Sequence, residues 1–489
     1  MARDRKPQRR GRPSGGPRRH RSETLVCTPS FWSPRGEAVC PGEHKPLLVW
    51  QGIPGDQCRV EVRGRGQQQV YSHWVTSREP DARRVEPACD RFHPCGGCPL
   101  MHVTVEAQHD ARTWLVVDAL EREGVGDVEV LPMKASPDGE TDFRHVLKLL
   151  AGYSDRGRPQ LGAPGRFTRR VVPIPDCHVV HPDLRMLTKS AAHQMIELDV
   201  RPFDGERGLL RYIQARRSRK TGELLVTLVV NYDARIVSTF AEAIARTVDK
   251  VVGVHVHVNE RSDNAIFERD EEGEIHTRRL LGEDFLVESL AGVDYHVGPT
   301  DFFQTNPSVA EVLYADVVAA AEGEGVPVVD LYSGVGGFAL ALAPKTGWAL
   351  GVESNAGAVR RARQAASAGR VPAEFVRGVV EEVLPDLCKR LEGRRPVVVV
   401  DPARRGLEGA VAKGILELHP RRVVYVSCSP RSLAKDLSEF LERGWTVHSL
   451  QPYDMFPQTA HVELVAVLDP PDADDLPAKR APRRRVVSR

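Results

Sequence analysis

The residues of this chain best able to do chemistry are among its nine cysteines. Cys428 follows the run Arg422-Val423-Val424-Tyr425-Val426-Ser427, and Pro430 stands two residues beyond it. Residues of β-forming type lead into the thiol, and the proline forbids further ladder pairing. The thiol is therefore expected at the C-terminal tip of a buried strand, where open α/β sheets keep their ligands. A cysteine there can act as a nucleophile, and it can equally be a small buried group that only packs. A second set, Cys89, Cys95 and Cys98, has the spacing C-x5-C-x2-C with Gly96 and Gly97 between the last pair. Cys177 stands far downstream in Ile174-Pro175-Asp176-Cys177-His178. Four thiolates suit zinc or an iron–sulfur cluster, and a triplet with one distant ligand, rather than two close pairs, favours the cluster. His93 and His178 read as loop histidines beside that site, with a ligand role as the alternative.

Carboxylates recur at the ends of apolar runs. Residues 326–332, 348–352 and 397–400 read as buried strands that bring Asp330, Glu353 and Asp401 to the same sheet edge as Cys428. Ser333-Gly334-Val335-Gly336-Gly337-Phe338 follows the first strand and opens a helical run over 339–344. Glycines at such a turn let a ligand approach the backbone, and a carboxylate about twenty residues on can hold a ribose diol. The third glycine of a dinucleotide fingerprint is replaced by Ala339, and the turn suits a dinucleotide as well as S-adenosylmethionine. Residues 446–450 and 462–468 read as a last pair of strands. Glu463, at the start of the second, is in phase with His461 and Val465, so phase alone does not assign it a role.

These elements sit in a chain of 489 residues, a length that suggests roughly three domains. No apolar stretch reaches the ~18 residues of a membrane span. The Arg-rich start has no apolar core behind it, so a secretory signal is not expected, and the odd number of thiols points to a reducing, cytoplasmic setting. The net charge of +2 hides an asymmetry: residues 1–22 carry +8 and residues 479–489 carry +6, so the body between them carries −12. Both tails are low-complexity sequence expected to be disordered, and basic arms suit an anionic polymer such as RNA. Residues 24–88 read as a small β domain, with strands at 47–50 and 70–75, a turn at 52–56 and alternation around Cys58, Val60 and Val62. Short strands with basic outward residues and exposed aromatics fit an OB-type barrel for single-stranded nucleic acid. From 100 to 290 the pattern is mixed α+β. It has a helix around 118–123, a strand at 222–230 and a cationic cluster, Arg216-Arg217-Ser218-Arg219-Lys220, that suits phosphates or a solvated hairpin tip.

Taken together these stretches resemble the bacterial RNA uracil-C5 (5-methyluridine) methyltransferases. The nearest branch is that of the 23S rRNA enzymes, which carry a TRAM (OB-type) domain and a [4Fe-4S] cluster. The resemblance covers about residues 24–468. It rests on Gly52-Ile53-Pro54-Gly55-Asp56, the cysteine set, Asp301-Phe302-Phe303-Gln304-Thr305-Asn306-Pro307, residues 330–338, Asp401-Pro402-Ala403-Arg404, Val426-Ser427-Cys428-Ser429-Pro430 and residues 454–463, in that order.

The likeness implies a multi-domain α/β protein. Its expected parts are a disordered basic tail (1–23), a TRAM/OB-type RNA-binding domain (24–88), a central α+β RNA-binding domain with a [4Fe-4S] site (89–297), a Rossmann-like methyltransferase domain (298–469) and a second tail (470–489). It implies Cys428 as nucleophile and Glu463 as the base that removes the C5 proton. Gln304, Tyr332, Glu353 and Asp401 would line the pocket for S-adenosylmethionine and uracil, and Cys89, Cys95, Cys98 and Cys177 would hold the cluster. The implied activity is methylation of a uridine in 23S rRNA, with tRNA as the alternative, by a monomeric cytoplasmic enzyme that needs no membrane. Three positions depart from the pattern. Gly337 stands where many relatives have Asn, Val379 where an acid is common, and Ser429 where Asn usually follows the cysteine. They motivate two competing readings: an RNA-binding or ribosome-assembly factor that keeps the fold without catalysis, and a cluster-based sensor.

Overall fold

The computed structural model describes residues 23–471 apart from 80, 167–169, 262, 264, 272, 322 and 324. The expected disorder of residues 1–22 and 472–489 lies outside the described residues. Among the described residues no helix is long and apolar enough to cross a membrane. The described residues divide into two compact units, one built from 23–33 with 37–82, the other from 34–36 with those that follow 82.

The first unit holds six strands: β1 (Thr24–Cys27), β2 (Phe31–Trp32), β3 (Ala38–Cys40), β4 (Leu47–Trp50), β5 (Cys58–Arg65) and β6 (Val70–Ser77). They form one sheet in the order β1-β5-β6-β4-β3-β2. The alternation read at the start of β5 is real: Cys58 and Val60 are buried with Cys40 and Val49, while Arg59 is exposed.

The second unit opens with helix α1 (Val105–Arg122). A mixed sheet follows, made of β7 (Val146–Tyr153), β8 (Pro159–Pro164), β9 (Val171–Pro173), β10 (Leu210–Arg217), β11 (Leu224–Val230), β12 (Val251–Val258) and β13 (Arg278–Gly282). Its order is β13-β12-β11-β10-β7-β8-β9, and helices α2 (Pro182–Glu197) and α3 (Arg235–Thr247) contribute to its core. A hairpin, β14 (Leu286–Leu290) with β15 (Val293–Val297), and helix α4 (Pro307–Ala321) lead into the last region.

There strands and helices alternate: β16 (Val328–Leu331), α5 (Gly337–Thr346), β17 (Ala349–Glu353), α6 (Ala356–Gly369), β18 (Ala373–Arg377), α7 (Val380–Arg390), β19 (Val397–Val400), α8 (Gly409–Glu417), β20 (Arg422–Ser427), α9 (Pro430–Leu441), β21 (Thr446–Tyr453) and β22 (Glu463–Asp469). The sheet order is β18-β17-β16-β19-β20-β22-β21, with β22 antiparallel to both neighbours and β16 to β20 parallel. Apolar runs such as Val397–Val400 are what a sheet covered on both faces requires. Val397 and Val399 pack with the core that includes α4, α5 and α6 residues, whereas Val398 and Val400 pack with residues of α7, α8 and α9.

That second face also draws on residues ahead of the expected boundary at 297/298. Val116, Ala119 and Leu120 of α1 belong to the same core as β16, β19 and β20. Residues 130 and 134 also bridge to Leu450 and Tyr453 of the sheet's edge strand. A helix from the stretch assigned to the central domain therefore completes the last layer. Its buried side chains include Gln108 and Arg112, so its apolar stripe is broken and hard to read.

Candidate active site

The loop-bearing edge of the last sheet collects the acids and the thiol. β16 exits through Tyr332, whose φ of 65° lies in the left-handed region seldom used by a bulky side chain. The chain then turns at Gly336, where φ is 94° and a Cβ would meet Leu340 and Phe375 at 2.9 Å, so only glycine fits. The turn starts α5 beneath the strand tips. Asp330 is fully buried and accepts a hydrogen bond from Ala339 N (2.7 Å), while its other carboxyl oxygen has no partner among the described residues. Burial pushes its pKa up to about 8, the Ala339 and Phe338 N–H groups opposing and the charge of Asp401 adding.

Glu353, at the end of β17, is held on both sides. Gly334 N donates to one oxygen (3.0 Å), and Asn355 N donates to the other (2.8 Å). A carboxylate fixed at the first βα turn in this way is placed to receive a ribose diol. Next to it Gly378 N donates to Glu353 O (3.0 Å), and Val379 stands 45% exposed at the start of α7. The buried oxygens of Asp330 and Ser333 that have no partner among the described residues lie at the same turn. Acceptors of this kind fit the amino end of an amino-acid-bearing cofactor, so the residues present suit S-adenosylmethionine.

The other half of the edge holds Asp401, Cys428 and Glu463. Asp401 directly follows β19, and burial pushes its pKa up to about 7. Ser427 pairs with Leu464 across β20 and β22, and Cys428 and Glu463 are the next residues along the two strands. Cys428 is half-buried and Glu463 only 4% exposed. Burial pushes the Cys428 thiol up to about 11, Glu463 and Asp401 add to the shift, and Arg404 opposes it by charge and by a hydrogen bond. Glu463 is pushed well above the usual carboxylate range by burial and by Asp401, with Arg404 again opposing.

Arg404 is set by its own anchors. Its carbonyl accepts from Ser432 Oγ (2.7 Å), and Leu407 N donates to Asp436 (2.7 Å), which also takes the Tyr425 hydroxyl (2.6 Å). Ser429 caps α9, its Oγ accepting from Ser432 N (3.4 Å), so serine retains the capping function at this turn. Gly337 also has a local reason: a Cβ there would stand 2.8 Å from the Tyr314 hydroxyl, which fills the space. Tyr295 donates to Gly337 O (2.9 Å), and Tyr314 stacks on Phe338.

The structure thus brings Asp401, Cys428 and Glu463 together and places Glu353 at the Gly334 turn. Gln304 is buried just ahead of α4, beside Phe302, whose ring is 70% exposed. Tyr332 packs toward the α7–α9 side. The loop before Glu463 is pinned from α1: Arg112 pairs with Asp454 (2.7 Å), both buried, and donates to Thr459 O (2.8 Å). His109 also reaches Asp454 (3.1 Å). Sequence reasoning missed Arg112 and Tyr314, and it met Arg404 only as the end of the Asp401-Pro402-Ala403-Arg404 motif, without a role. Arg112 left a faint trace, as a cation between Gln108 and Leu115 on a helical stripe.

Cys89, Cys95, Cys98 and Cys177 line one cavity of about 70 Å³ with Phe92, Met101 and Ile174. Among the described residues no three His, Cys, Asp or Glu side chains form a group that could hold a metal ion. The expected metal centre is therefore not shown. Four soft thiols around one partly apolar cavity nonetheless fit a cluster in which each iron takes its own thiolate.

The comparisons bear on this site directly. The family model described as tRNA (uracil-5-)-methyltransferase matches residues 219–469. Relatives from Halalkalibacterium halodurans and Caldanaerobacter subterraneus, each described as an uncharacterized RNA methyltransferase, are 31% and 32% identical. Each match covers 89% of this chain, and 94% and 96% of the relative. Among solved structures the chain is similar to the Pyrococcus abyssi tRNA (uracil-54, C5)-methyltransferase in complex with S-adenosyl-L-homocysteine. That likeness has a TM-score of 0.71 and 27% identity, over 91% of this chain and all of the other. With the strand-tip acids and the thiol on one edge of a methyltransferase sheet, the chain belongs to the bacterial RNA uracil-C5 methyltransferase family and is an S-adenosylmethionine-dependent RNA (uracil-5-)-methyltransferase.

Proposed function

We propose that the protein methylates C5 of a uridine in 23S rRNA with Cys428 as nucleophile and Glu463 as base. The observation that carries this reading is the β20–β22 register, with Cys428 and Glu463 the next residues after a paired Ser427 and Leu464. Uracil C5 is a poor nucleophile. Addition of the Cys428 sulfur to C6 moves the C5–C6 π electrons toward C5 and O4, which makes C5 an enolate carbon. S-adenosylmethionine, when bound, supplies an electrophilic methyl. The Glu463 carboxylate then takes the proton from C5, the C5–C6 double bond re-forms, and the C6–S bond breaks to release the thiolate. Burial that raises the basicity of Glu463 suits it to a carbon-bound proton once it is ionised.

In this reading Glu353 holds the cofactor ribose, Tyr332 lines the pocket, and Gln304 and Asp401 lie nearer the methyl and the base. The target nucleotide must leave its stack to be attacked at the ring face, and the exposed Phe302 ring offers a surface for it. A [4Fe-4S] cluster on Cys89, Cys95, Cys98 and Cys177 ties two distant segments, and the N-terminal sheet serves as an OB-type (TRAM) RNA-binding module. The enzyme is proposed to act as a cytoplasmic monomer. A tRNA substrate is the second reading, supported by the likeness to the P. abyssi tRNA enzyme. Mass-spectrometric mapping of 5-methyluridine in rRNA and tRNA from cells lacking the gene tests both. Loss of one methyl from 23S rRNA is the expected result, loss from tRNA selects the second reading, and no loss from either removes both.

A further inference from the structure

A polar cavity of about 480 Å³ opens at the N-terminal end of α6, outside the thiol–carboxylate cluster. Arg279, Arg360, Arg361 and Arg377 line it against only two carboxylates, Glu274 and Asp284. Two of these cations already have partners in the cavity, Arg279 with Asp284 (3.0 Å) and Arg377 with Glu274 (2.9 Å), and Arg361 pairs with the buried Asp301. Arg360 is exposed and has no ion-pair partner among the described residues. Glu274 also accepts from Ala356 N (2.9 Å), the first residue of α6, so an internal carboxylate sits where a helix end attracts anions. His255 lines the same cavity, 3% exposed. Its Nε2 donates to Glu283 O (3.0 Å), and its Nδ1 has no partner among the described residues.

The cavity does not end there. Arg360, Gln364 and Arg377 also line an open groove that includes Arg363 and Ser367, and that groove continues to Arg370. The basic residues therefore run along the exposed side of α6, whose 14 residues extend about 20 Å. That length suits several phosphates of a polyanion rather than one small anion. Asn355, on the cavity wall, also donates to Glu353, so the track begins beside the residue assigned to the cofactor ribose. β17 and β20 stand three strands apart, roughly 14 Å at ordinary strand spacing. An RNA whose target base reaches Cys428 has flanking backbone within a few nucleotides of α6.

We propose that the α6 cavity and groove form a sugar–phosphate track for the RNA flanking the target uridine, and that Glu274 occupies its first phosphate position until RNA displaces it. The inference rests on the RNA-methylation reading. Arg360 positions RNA and takes no part in the chemistry. The test measures binding of unmodified transcripts, a tRNA and a 23S rRNA fragment, to wild-type protein and to Arg360→Ala and Glu274→Gln over a range of KCl. Arg360→Ala is expected to weaken binding several-fold and to reduce the slope of log affinity against log salt by about one. Glu274→Gln is expected to tighten binding, and S-adenosylmethionine affinity should be unchanged in both. Variants that match wild-type RNA affinity and salt slope overturn the track while leaving methylation intact. The expected shifts in the variants, together with a wild-type protein that transfers no methyl, overturn the catalytic reading alone.

Discussion

Cys428 and Glu463 come from strands that run in opposite directions, yet β20 ends where β22 begins. The thiol leaves one strand and the carboxylate enters the next at the same sheet edge. Asp401, at the tip of β19 on the other side of β20, adds a second acid, and Arg404 is a cation that eases ionisation of both Cys428 and Glu463. In the proposed mechanism, reactivity depends on this loop cation, whose carbonyl is held by Ser432 of α9.

This arrangement makes activity dependent on pH in a definite direction. A thiol whose pKa is pushed up to about 11 is neutral at pH 7, and its thiolate fraction rises tenfold per unit below that value. kcat/KM is therefore expected to climb from pH 6 to pH 9. Removing Arg404 raises the thiol and Glu463 further, so Arg404→Ala should shift the profile to higher pH, with Arg404→Lys partly restoring it. A flat wild-type profile, or an Arg404→Ala profile with unchanged position, would contradict the assignment.

The Arg112–Asp454 pair joins α1 to the loop before Glu463 with both side chains out of water. Breaking such a pair leaves a buried charge uncompensated, at a cost of about 3–5 kcal/mol. Arg112→Ala should lower unfolding free energy in urea by that order, and a loss below about 1 kcal/mol would show that the pair is not structural.

Gly337 and Tyr314 share one volume. Gly337→Ala places a methyl against the tyrosine hydroxyl and is expected to cost about 1–3 kcal/mol of stability. Adding Tyr314→Phe should recover part of the loss. An equal cost with and without the hydroxyl would mean that the clash lies elsewhere.

Much of this was legible because valine leaves little choice. Runs such as Val397–Val400 with an acid behind them announce both a two-sided strand and its ligand edge, and the tips of β16, β17, β19 and β20 fell where the pattern put them. The α1 layer was not legible. Its buried face carries Gln108 and Arg112, whose partners Gln458 and Asp454 lie more than 300 residues away, and no local pattern encodes such pairs. The reason for Gly337 was hidden in the same way, in the Tyr314 side chain that only the folded chain brings near, whereas Ser429 answers to a local need, the N–H of Ser432 three residues on.

The four thiols that share one cavity make metal content a separate test. Protein purified without oxygen should hold iron and acid-labile sulfide in a ratio near one, about four of each per chain. Cys98→Ser should release them. Because Leu100 N donates to Gln458 O (3.0 Å), loss of the cluster should also loosen the loop before Glu463, seen as faster amide exchange there. Zinc in place of iron, or wild-type protein without metal, would contradict the cluster.

The central claim is tested most directly by incubating Glu463→Gln with S-adenosylmethionine and unmodified substrate RNA and resolving the products under denaturing conditions. Methyl transfer without proton removal should trap a covalent protein–RNA complex carrying the transferred methyl, with turnover reduced about 10²- to 10⁴-fold. The trap should vanish when Cys428→Ala is added. Normal turnover by Glu463→Gln, or an adduct that persists without the Cys428 sulfur, would contradict the account.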